Sequence, residues 1–235
     1  MSVVKRAIVM AAGLGSRLRP LTENIPKPLL NVNGKRIIET VIDALLYHGI
    51  KEIYVVVGYR KEQFSVLLKK YPCIHLIANP YYNQMNNISS LYVARKYIGD
   101  TVIIDGDQII LNPDILYPEF IKSGYCCSEV NRHTSEWVLH VDNNSIISCG
   151  RSGGNRGWQL FGISFWNQED GYKLAQYIEQ DIKVTANQQL YWDDIALFLH
   201  PESFDLGIRK IKSNDIYEID SVHDLCLYKE KYGNC

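Results

Sequence analysis

The sequence predicts a protein of the α/β class, with a doubly wound, mostly parallel sheet and a small antiparallel insert or lobe. Two observations predict the parallel part: short β-branched runs alternate with helical patterns, and polar or glycine-rich residues follow the runs. A third observation, a series of strand-like segments after residue 124, predicts the antiparallel part. The 235 residues are 46% hydrophobic and 22% charged, a mixture that suffices for one compact domain over 1–235.

The first 105 residues carry the parallel pattern. The predicted strands are "RAIVM" (6–10), "EIYVVVGY" (52–59), "IHLIA" (74–78) and "TVIID" (101–105). The helical patterns between them are a helix from Arg36 to Gly49, "KEQFSVLLKKY" (61–71) and "ISSLYVARKYI" (88–98). Ligands of such sheets bind beyond the carboxyl ends of the strands, where residue 11 onward and Asp107 lie.

The remaining chain has a different pattern. A helix is predicted near 114–123, followed by the strand-like segments "YCCSEV" (125–130), "EWVLHV" (136–141), "SIISCG" (145–150) and "WQLFGISFW" (158–166). A turn is predicted at Asp142, Asn143 and Asn144. Helices are predicted over 168–182, with Asn167 as the cap, over 192–200 and over 221–232.

Charge and composition exclude several classes of partner. The formal net charge is −1, so no overall field attracts nucleic acid or an anionic membrane. No apolar run approaches the roughly 20 residues that span a bilayer, and no secretory leader is evident. The six cysteines have no paired CxxC spacing and are predicted to be reduced thiols. We therefore expect a cytoplasmic protein without membrane insertion.

The stretch "AAGLGSRLRPLTENIPKPLL" (11–30) is the most informative part of the sequence. It lacks the third glycine of a dinucleotide fingerprint, because residue 18 is Leu, and it lacks the Gly-Lys-Ser/Thr of a P-loop. Its glycine turn can present backbone N–H groups to an anion, while Arg17 can fork onto phosphate oxygens. Lys27 lies between Pro26 and Pro28, which restrict the backbone on both sides. The stretch predicts a triphosphate loop; the alternative is a flexible surface loop with solvated cations.

This stretch resembles the signature of nucleotidyltransferases that activate phosphorylated small molecules with an NTP. The resemblance implies a Rossmann-like fold, with a nucleotide half at about 1–110 and an acceptor half at about 111–235. It implies the catalytic residues Lys27, Arg17 and Asp107, and a Mg²⁺ ion bound by Asp107 of "IIDGD" and Asp220 of "YEIDS". The nucleotide-binding residues that it implies are Ala12, Gly13, Gly15, Ser16, Arg17, Asn86, Asn87 and Ser89.

The reaction implied is attack by the acceptor's phosphate on the α-phosphorus of the NTP, with departure of pyrophosphate. Two aspartates suit Mg²⁺, which keeps water and phosphate oxygens among its ligands. The acceptor phosphate is ionised at neutral pH and needs no general base. The protein's task is alignment and neutralisation of charge, which Lys27, Arg17 and the ion can perform. As alternatives, Asp107 is a turn residue and Asp220 a helix-start residue.

Within this family the chain is most similar to bacterial CTP:phosphocholine cytidylyltransferases. The matching segments are "VGYRKEQF", "NNISSLY", "SEWVL", "GISFW", "LYWDD" and "IYEIDSV". A quaternary ammonium is held by aromatic faces and a nearby carboxylate. The predicted acceptor residues are Glu136, Trp137, Tyr191, Trp192 and Asp193, with Asp194 as a further candidate for the charge.

Two alternatives to phosphocholine transfer remain open. "NRHTSEW" has Asn131 and Arg132 where the resemblance predicts an acidic residue, so a sugar phosphate or another phospho-alcohol or phospho-amine is a possible acceptor. A regulatory protein that binds a nucleotide without catalysis is an alternative of another class. The joint presence of Arg17, Lys27, Asp107 and Asp220 argues against it, because a sensor does not require the metal-binding aspartates.

Overall fold

A computed structural model describes residues 1–184 and 189–233 of the chain. Its strands are β1 (Ser2–Val3), β2 (Arg6–Ala11), β3 (Asn31–Val32), β4 (Lys35–Arg36), β5 (Glu52–Val57), β6 (Ile74–Ala78), β7 (Thr101–Asp105), β8 (Gln108–Ile110), β9 (Glu119–Phe120), β10 (Gly124–Glu129), β11 (Val138–Asp142), β12 (Ser145–Gly150), β13 (Trp158–Trp166), β14 (Gly207–Lys210) and β15 (Ile216–Glu218). Its α-helices are α1 (Ile37–Tyr47), α2 (Ser65–Lys70), α3 (Ile88–Ala94), α4 (Gln168–Val184) and α5 (Val222–Tyr232). Short 3₁₀ segments span Ser16–Leu18, Lys27–Leu29, Lys61–Phe64, Arg95–Tyr97, Pro113–Leu116 and Pro201–Ser203, and a π-helical segment spans Ile195–Leu199.

Within the described ranges, nine strands form one mixed sheet in the order β10-β14-β12-β11-β13-β7-β2-β5-β6. β7, β2, β5 and β6 are parallel, and the predicted mixed α/β sheet is confirmed. The part that follows the four parallel strands is larger than predicted, because β10 to β14 supply five of the nine strands and continue the same sheet. Its strands pair antiparallel except for β10 with β14, which are parallel. β10 pairs with both β13 and β14, which closes these five strands into a ring of pairings.

The core lies on both faces of the parallel strands. β2 shows why, since Ala7 and Val9 belong to a buried cluster with residues of α1, whereas Ile8 and Met10 belong to a second cluster with residues of α3. Successive side chains of a strand point to opposite faces, so a strand covered by helices on both sides is apolar throughout. This burial fixes the position of Ala11, where β2 ends and the opening loop begins.

Local signals fix several element ends as predicted. Gly49 has φ 76°, a left-handed conformation that glycine adopts without strain, and it follows α1. The Asn167 side chain accepts a hydrogen bond from the Asp170 N–H at 2.8 Å and caps α4. Asn143 and Asn144 have φ of 46° and 67°, as a tight hairpin turn between β11 and β12 requires.

Two helix predictions need correction. The predicted helix near 114–123 is only the 3₁₀ turn Pro113–Leu116, followed by β9, which pairs with β1. Pro118 accounts for the difference, because a proline lacks the N–H of a helix interior and disfavours a helical conformation at Tyr117 before it. The segment predicted as a helix over 192–200 is helical, but Ile195–Leu199 adopts the wider π conformation.

No helix in the described part of the chain is long and apolar enough to cross a membrane. Cys73, Cys126, Cys127, Cys149 and Cys226 are free thiols, as predicted. Cys235 lies outside the described residues.

Candidate active site

The opening loop leaves the carboxyl end of β2 and folds back over Lys27. Gly15 has φ 61°, and a Cβ placed on it would lie 3.1 Å from Lys27 Cβ and 3.2 Å from Thr22 Cγ2. The Thr22 hydroxyl donates a hydrogen bond to the Gly15 carbonyl at 2.7 Å, which holds the two arms of the loop together. A side chain at position 15 would therefore separate the glycine turn from the lysine.

Lys27 is the centre of a cluster of charges. Its Nζ lies 2.9 Å from Asp107 Oδ2 and 3.1 Å from Asp220 Oδ1, and Arg17 Nη2 lies 3.0 Å from the same Asp220 oxygen. The Lys27 side chain is only 8% exposed. Burial by itself lowers the pKa of Lys27, but the two carboxylates outweigh that effect and raise it above its usual value. Lys27 is consequently a fixed positive charge.

Asp107 and Asp220 meet although 113 residues separate them in the sequence. Antiparallel pairing of β8 with β15 places Glu218 opposite Gln108, and the Gln108 side-chain amide donates to Glu218 Oε1 at 2.7 Å. Asp107 immediately precedes β8, and Asp220 lies two residues beyond β15. The two carboxylates thus sit beside one end of this strand pair, at the carboxyl edge of the parallel strands.

Every residue predicted to bind the nucleotide lines one cavity of about 430 Å³. The cavity is bounded by the opening loop on one side and by the chain before and within α3 on the other. Its predicted lining residues are Ala12, Gly13, Gly15, Ser16, Arg17, Lys27, Asn86, Asn87, Ser89, Asp107 and Asp220. Their roles in binding and catalysis remain predictions.

The asparagines and serine before and within α3 make structural hydrogen bonds. Ser89 Oγ accepts from Asn79 Nδ2 at 2.9 Å and donates to the Asn86 carbonyl at 2.8 Å. Asn87 Oδ1 accepts from the Trp192 N–H at 3.0 Å. The buried Asn79 was missed from the sequence, although it directly follows β6 and so occupies a strand end where ligands are expected.

A second cavity of about 320 Å³ adjoins the first and shares the charged cluster with it. Both cavities are lined by Arg17, Lys27, Asn87, Asp105, Asp107, Tyr191 and Asp220. Of the predicted acceptor residues, Glu136, Trp137, Tyr191 and Asp193 line the second cavity. The structure therefore places the two predicted half-sites side by side, with Lys27 between them.

Trp192 does not belong to the acceptor wall, contrary to the prediction. Its side chain is fully buried in the core, stacked on Tyr125 at a centroid distance of 5.8 Å and edge-on to Trp166 at 6.3 Å. The neighbouring Tyr191 is 44% exposed and lines the cavity. Adjacent aromatic residues face different environments here, a distinction that composition alone cannot make.

The arginine beside the acceptor wall is Arg151. Arg132, which stands where the resemblance predicts an acidic residue, is exposed and does not line the second cavity. The Arg151 guanidinium carbon lies 5.1 Å from the centroid of the Trp137 ring, and the guanidinium is paired with the Asp194 carboxylate. One surface of Trp137 is therefore already in contact with a cation of the protein.

Three further carboxyl groups surround the second cavity. Burial raises the pKa of Asp105 well above its usual range, and the negative charges of Asp107, Asp193 and Glu218 raise it further. Burial and the neighbouring Asp194 raise the pKa of Asp193 to about 8, and burial raises the pKa of Glu218 to about 7 against the lowering effect of its hydrogen bond from Gln108. Away from Lys27 the second cavity is thus lined by carboxyl groups that hold protons more readily than exposed carboxylates do.

Sequence reasoning missed Asp105, Gln108 and Glu218. Glu218 stands two residues before Asp220, and residues two apart in extended chain point to the same side, so this spacing is a signal that could have found Glu218. Asp105 also stands two residues before Asp107, but a turn at Gly106 and Asp107 follows it, so strand alternation gives no signal for Asp105. Among the described residues, no group of three or more His, Cys, Asp or Glu side chains is arranged to hold a metal ion.

The fold is that of a nucleotidyl transferase, and the family model of that description matches residues 6–123. The chain belongs to the nucleotidyl transferase family. The match covers the parallel strands, the opening loop and Asp107.

Relatives over nearly the full chain are cytidylyltransferases. The chain is 40% identical to a 2-aminoethylphosphonate cytidylyltransferase of Lancefieldella rimae, over 96% of this chain and 92% of the relative. It is 35% identical to a choline-phosphate cytidylyltransferase of Streptococcus pneumoniae, over 97% and 99% of the two chains. The solved structure of a CTP:phosphocholine cytidylyltransferase from S. pneumoniae superposes with a TM-score of 0.87 at 34% identity, covering 98% of this chain and 99% of that one.

Proposed function

We propose that this protein is a cytidylyltransferase that transfers CMP from CTP to a small zwitterion with a phosphonate or phosphate at one end and a primary ammonium at the other. The observation that carries the proposal is the pair of adjoining cavities with Lys27, Asp107 and Asp220 between them. The first cavity has the predicted nucleotide residues, and the second is lined by the cations Arg17 and Lys27, by several carboxyl groups and by two aromatic rings.

The proposed reaction is a displacement at phosphorus. An ionised oxygen of the acceptor forms a bond to the α-phosphorus of CTP, and the bond from that phosphorus to the oxygen bridging to the β-phosphorus breaks and releases pyrophosphate. Lys27 lines both cavities and neutralises charge on the oxygens of the transferred group. Arg17, whose side chain is 74% exposed and pairs with Asp220, has further N–H donors that can contact the departing phosphates. The ionised acceptor needs no general base.

The residues present fit a Mg²⁺ ion in this proposal. Asp107 and Asp220 each use one oxygen to contact Lys27, their side chains are 39% and 36% exposed, and both residues line both cavities. Two carboxylates without a third protein ligand suit an ion that takes its other ligands from phosphate oxygens and water. When bound, the ion would supply charge neutralisation at the phosphates.

Three observations favour a primary ammonium at the far end of the acceptor. Asp193, Glu218 and Glu136 provide carboxyl groups around the cavity, and Gln108 Oε1 is a buried oxygen with no hydrogen-bond partner in the described ranges. Oxygen acceptors are satisfied by N–H donors, which a quaternary ammonium lacks. The relative at 40% identity carries the name of an enzyme acting on such an acceptor.

Phosphocholine is the second candidate acceptor. Trp137 and Tyr191 both line the second cavity, with ring centroids 5.6 Å apart in edge contact, and aromatic rings are the usual surface for a quaternary ammonium. Arg151 already covers part of Trp137, which reduces the aromatic surface left for three methyl groups. We therefore rank phosphocholine below a primary amine.

The test is pyrophosphate release by the purified protein with Mg²⁺. CTP, UTP, ATP and dTTP are each combined with 2-aminoethylphosphonate, phosphoethanolamine, phosphocholine or glucose 1-phosphate. Phosphoethanolamine and phosphocholine form the matched pair, because they differ only in the methyl groups on nitrogen. We expect turnover with CTP and the two primary amines, abolished in D107N. A preference for phosphocholine would support the second candidate acceptor. Turnover with glucose 1-phosphate alone would exclude both amine acceptors in favour of a sugar phosphate, and no turnover with any pair would favour a nucleotide-binding regulator.

A further inference from the structure

Arg151, directly after β12, contacts two aromatic rings and a buried carboxylate beside the second cavity. Its guanidinium carbon lies 4.1 Å from the centroid of the Phe198 ring and 5.1 Å from that of Trp137. These two rings are nearly perpendicular, at 88°, with centroids 5.5 Å apart. The guanidinium therefore lies against two rings that belong to distant segments of the chain.

The carboxylate that pairs with Arg151 extends this link. Asp194 is almost completely buried, with 3% of its side chain exposed, and its Oδ1 contacts Arg151. Its other oxygen, Oδ2, accepts a hydrogen bond from the backbone N–H of Tyr191 at 2.9 Å. The Tyr191 ring is in edge contact with Trp137. One guanidinium thus ties Trp137 to the turn that presents Tyr191.

We infer that Arg151 is the positioning residue of the acceptor wall, holding Trp137 and Tyr191 at their observed spacing in the lining of the second cavity, where the acceptor binds. This inference depends on the proposed function for its substrate. Arg151 does not itself line the second cavity, whereas both rings do. A planar guanidinium can stack on rings and pair with a carboxylate at once, which the ammonium of a lysine does less well.

The test compares R151M and R151K with the wild type in steady-state kinetics. Loss of a positioning contact weakens acceptor binding in the ground state and the transition state alike. We expect R151M to raise KM for the acceptor about tenfold or more, with kcat and KM for CTP changed by less than about threefold, and R151K to lie between. An equal rise of both KM values, or an unchanged acceptor KM, would overturn the inference.

Arg95→Met is the matched control. Arg95 also lies over an aromatic ring, 4.2 Å from the Tyr92 centroid, and pairs with Glu179 at 3.4 Å, but it lines neither of the two cavities. We expect R95M to leave acceptor KM unchanged even if both variants lose similar thermal stability. A rise in acceptor KM in R95M equal to that in R151M would identify a general packing effect and overturn the inference.

A second measurement separates this inference from the proposed function. If the wild type turned over no acceptor, the proposed function would fail, and crystal structures of wild type and R151M would test the positioning of the wall instead. The inference predicts that the Trp137 and Tyr191 rings separate or become disordered in R151M while the Lys27 cluster is unchanged. Rings that keep the wild-type contact without Arg151 would overturn it.

Discussion

Replacement of Lys27 by methionine removes the central positive charge while retaining most of the side-chain volume. With 8% of the side chain exposed, the charge acts in the protein's dielectric and not in that of bulk water. At an effective dielectric constant of about 20, a unit charge about 4 Å from a phosphate charge contributes about 4 kcal/mol. If that interaction develops in the transition state, K27M lowers kcat by about a thousandfold, close to the effect of removing one donor from an oxyanion hole.

The assay is pyrophosphate release at saturating CTP and acceptor. Asp107 and Asp220 are more than a third exposed, so water can solvate them in K27M and the variant is expected to fold. Because the two carboxylates raise the pKa of Lys27 above 10.5, the lysine stays charged, and the loss of rate should be the same from about pH 6.5 to pH 9. The matched control is K35M, which removes a half-buried lysine whose Nζ lies 2.6 Å from Asp43 Oδ2, and it should leave kcat unchanged.

A loss of less than tenfold in folded K27M would refute this reasoning. It would mean that Lys27 organises the loop and the two aspartates but does not act on the transferred phosphate. A strong loss confined to KM for CTP would lead to the same conclusion, since it would indicate uniform binding of the nucleotide.

Three further predictions concern the acidic side of the site. The pKa of Asp193 is raised from 3.8 to about 8, so between pH 3.8 and about pH 8 the folded state holds a proton that the unfolded chain releases. As the pH rises through this range, the contribution of Asp193 to the free energy of unfolding falls by up to about 1.4 kcal/mol per pH unit. D193N should flatten the pH profile of urea unfolding, and an unchanged slope would contradict the assignment. Glu218, with a pKa of about 7, becomes ionised between about pH 6 and pH 8, and the ionised carboxylate attracts the acceptor's ammonium. KM for the acceptor should therefore fall several-fold more over that range in the wild type than in E218Q. Equal pH profiles of KM in the two proteins would exclude a role of Glu218 in binding the acceptor. A Cβ at Gly162 would lie 2.0 Å from Asp105 Oδ2, so G162A should lower the free energy of unfolding in urea by about 1–3 kcal/mol and reduce kcat. G150A is the control, because the nearest contact of its Cβ would be at 3.9 Å, and it should change neither quantity. Equal effects of the two substitutions would contradict the steric argument.

The parts of the site that the sequence predicts are those with local signals. The opening loop is recognisable because its glycines, prolines and cations lie within 20 residues at the end of a strand. Asp107 and Asp220 follow from motifs beside strand ends, and the structure brings both to Lys27. Their identification needed the resemblance as well as the spacing, because a single aspartate after a strand is equally typical of a turn.

The parts that the sequence does not predict depend on distant pairings. Gln108 and Glu218 are 110 residues apart, and only the pairing of β8 with β15 joins them. Arg151 and Asp194 are 43 residues apart, and neither lies in a recognisable motif for the other. The prediction for Trp192 was wrong for a related reason, since its neighbours in the core, Tyr125 and Trp166, come from β10 and β13.

Transfer of CMP to the acceptor can be observed directly by ³¹P NMR of the protein with Mg²⁺, CTP and 2-aminoethylphosphonate. We expect equal growth of pyrophosphate and of a new phosphonate–phosphate anhydride that joins CMP to the acceptor, and loss of both in K27M. Release of pyrophosphate with free CMP and unchanged phosphonate would contradict the claim, because the second cavity would then not hold an acceptor for the nucleotide.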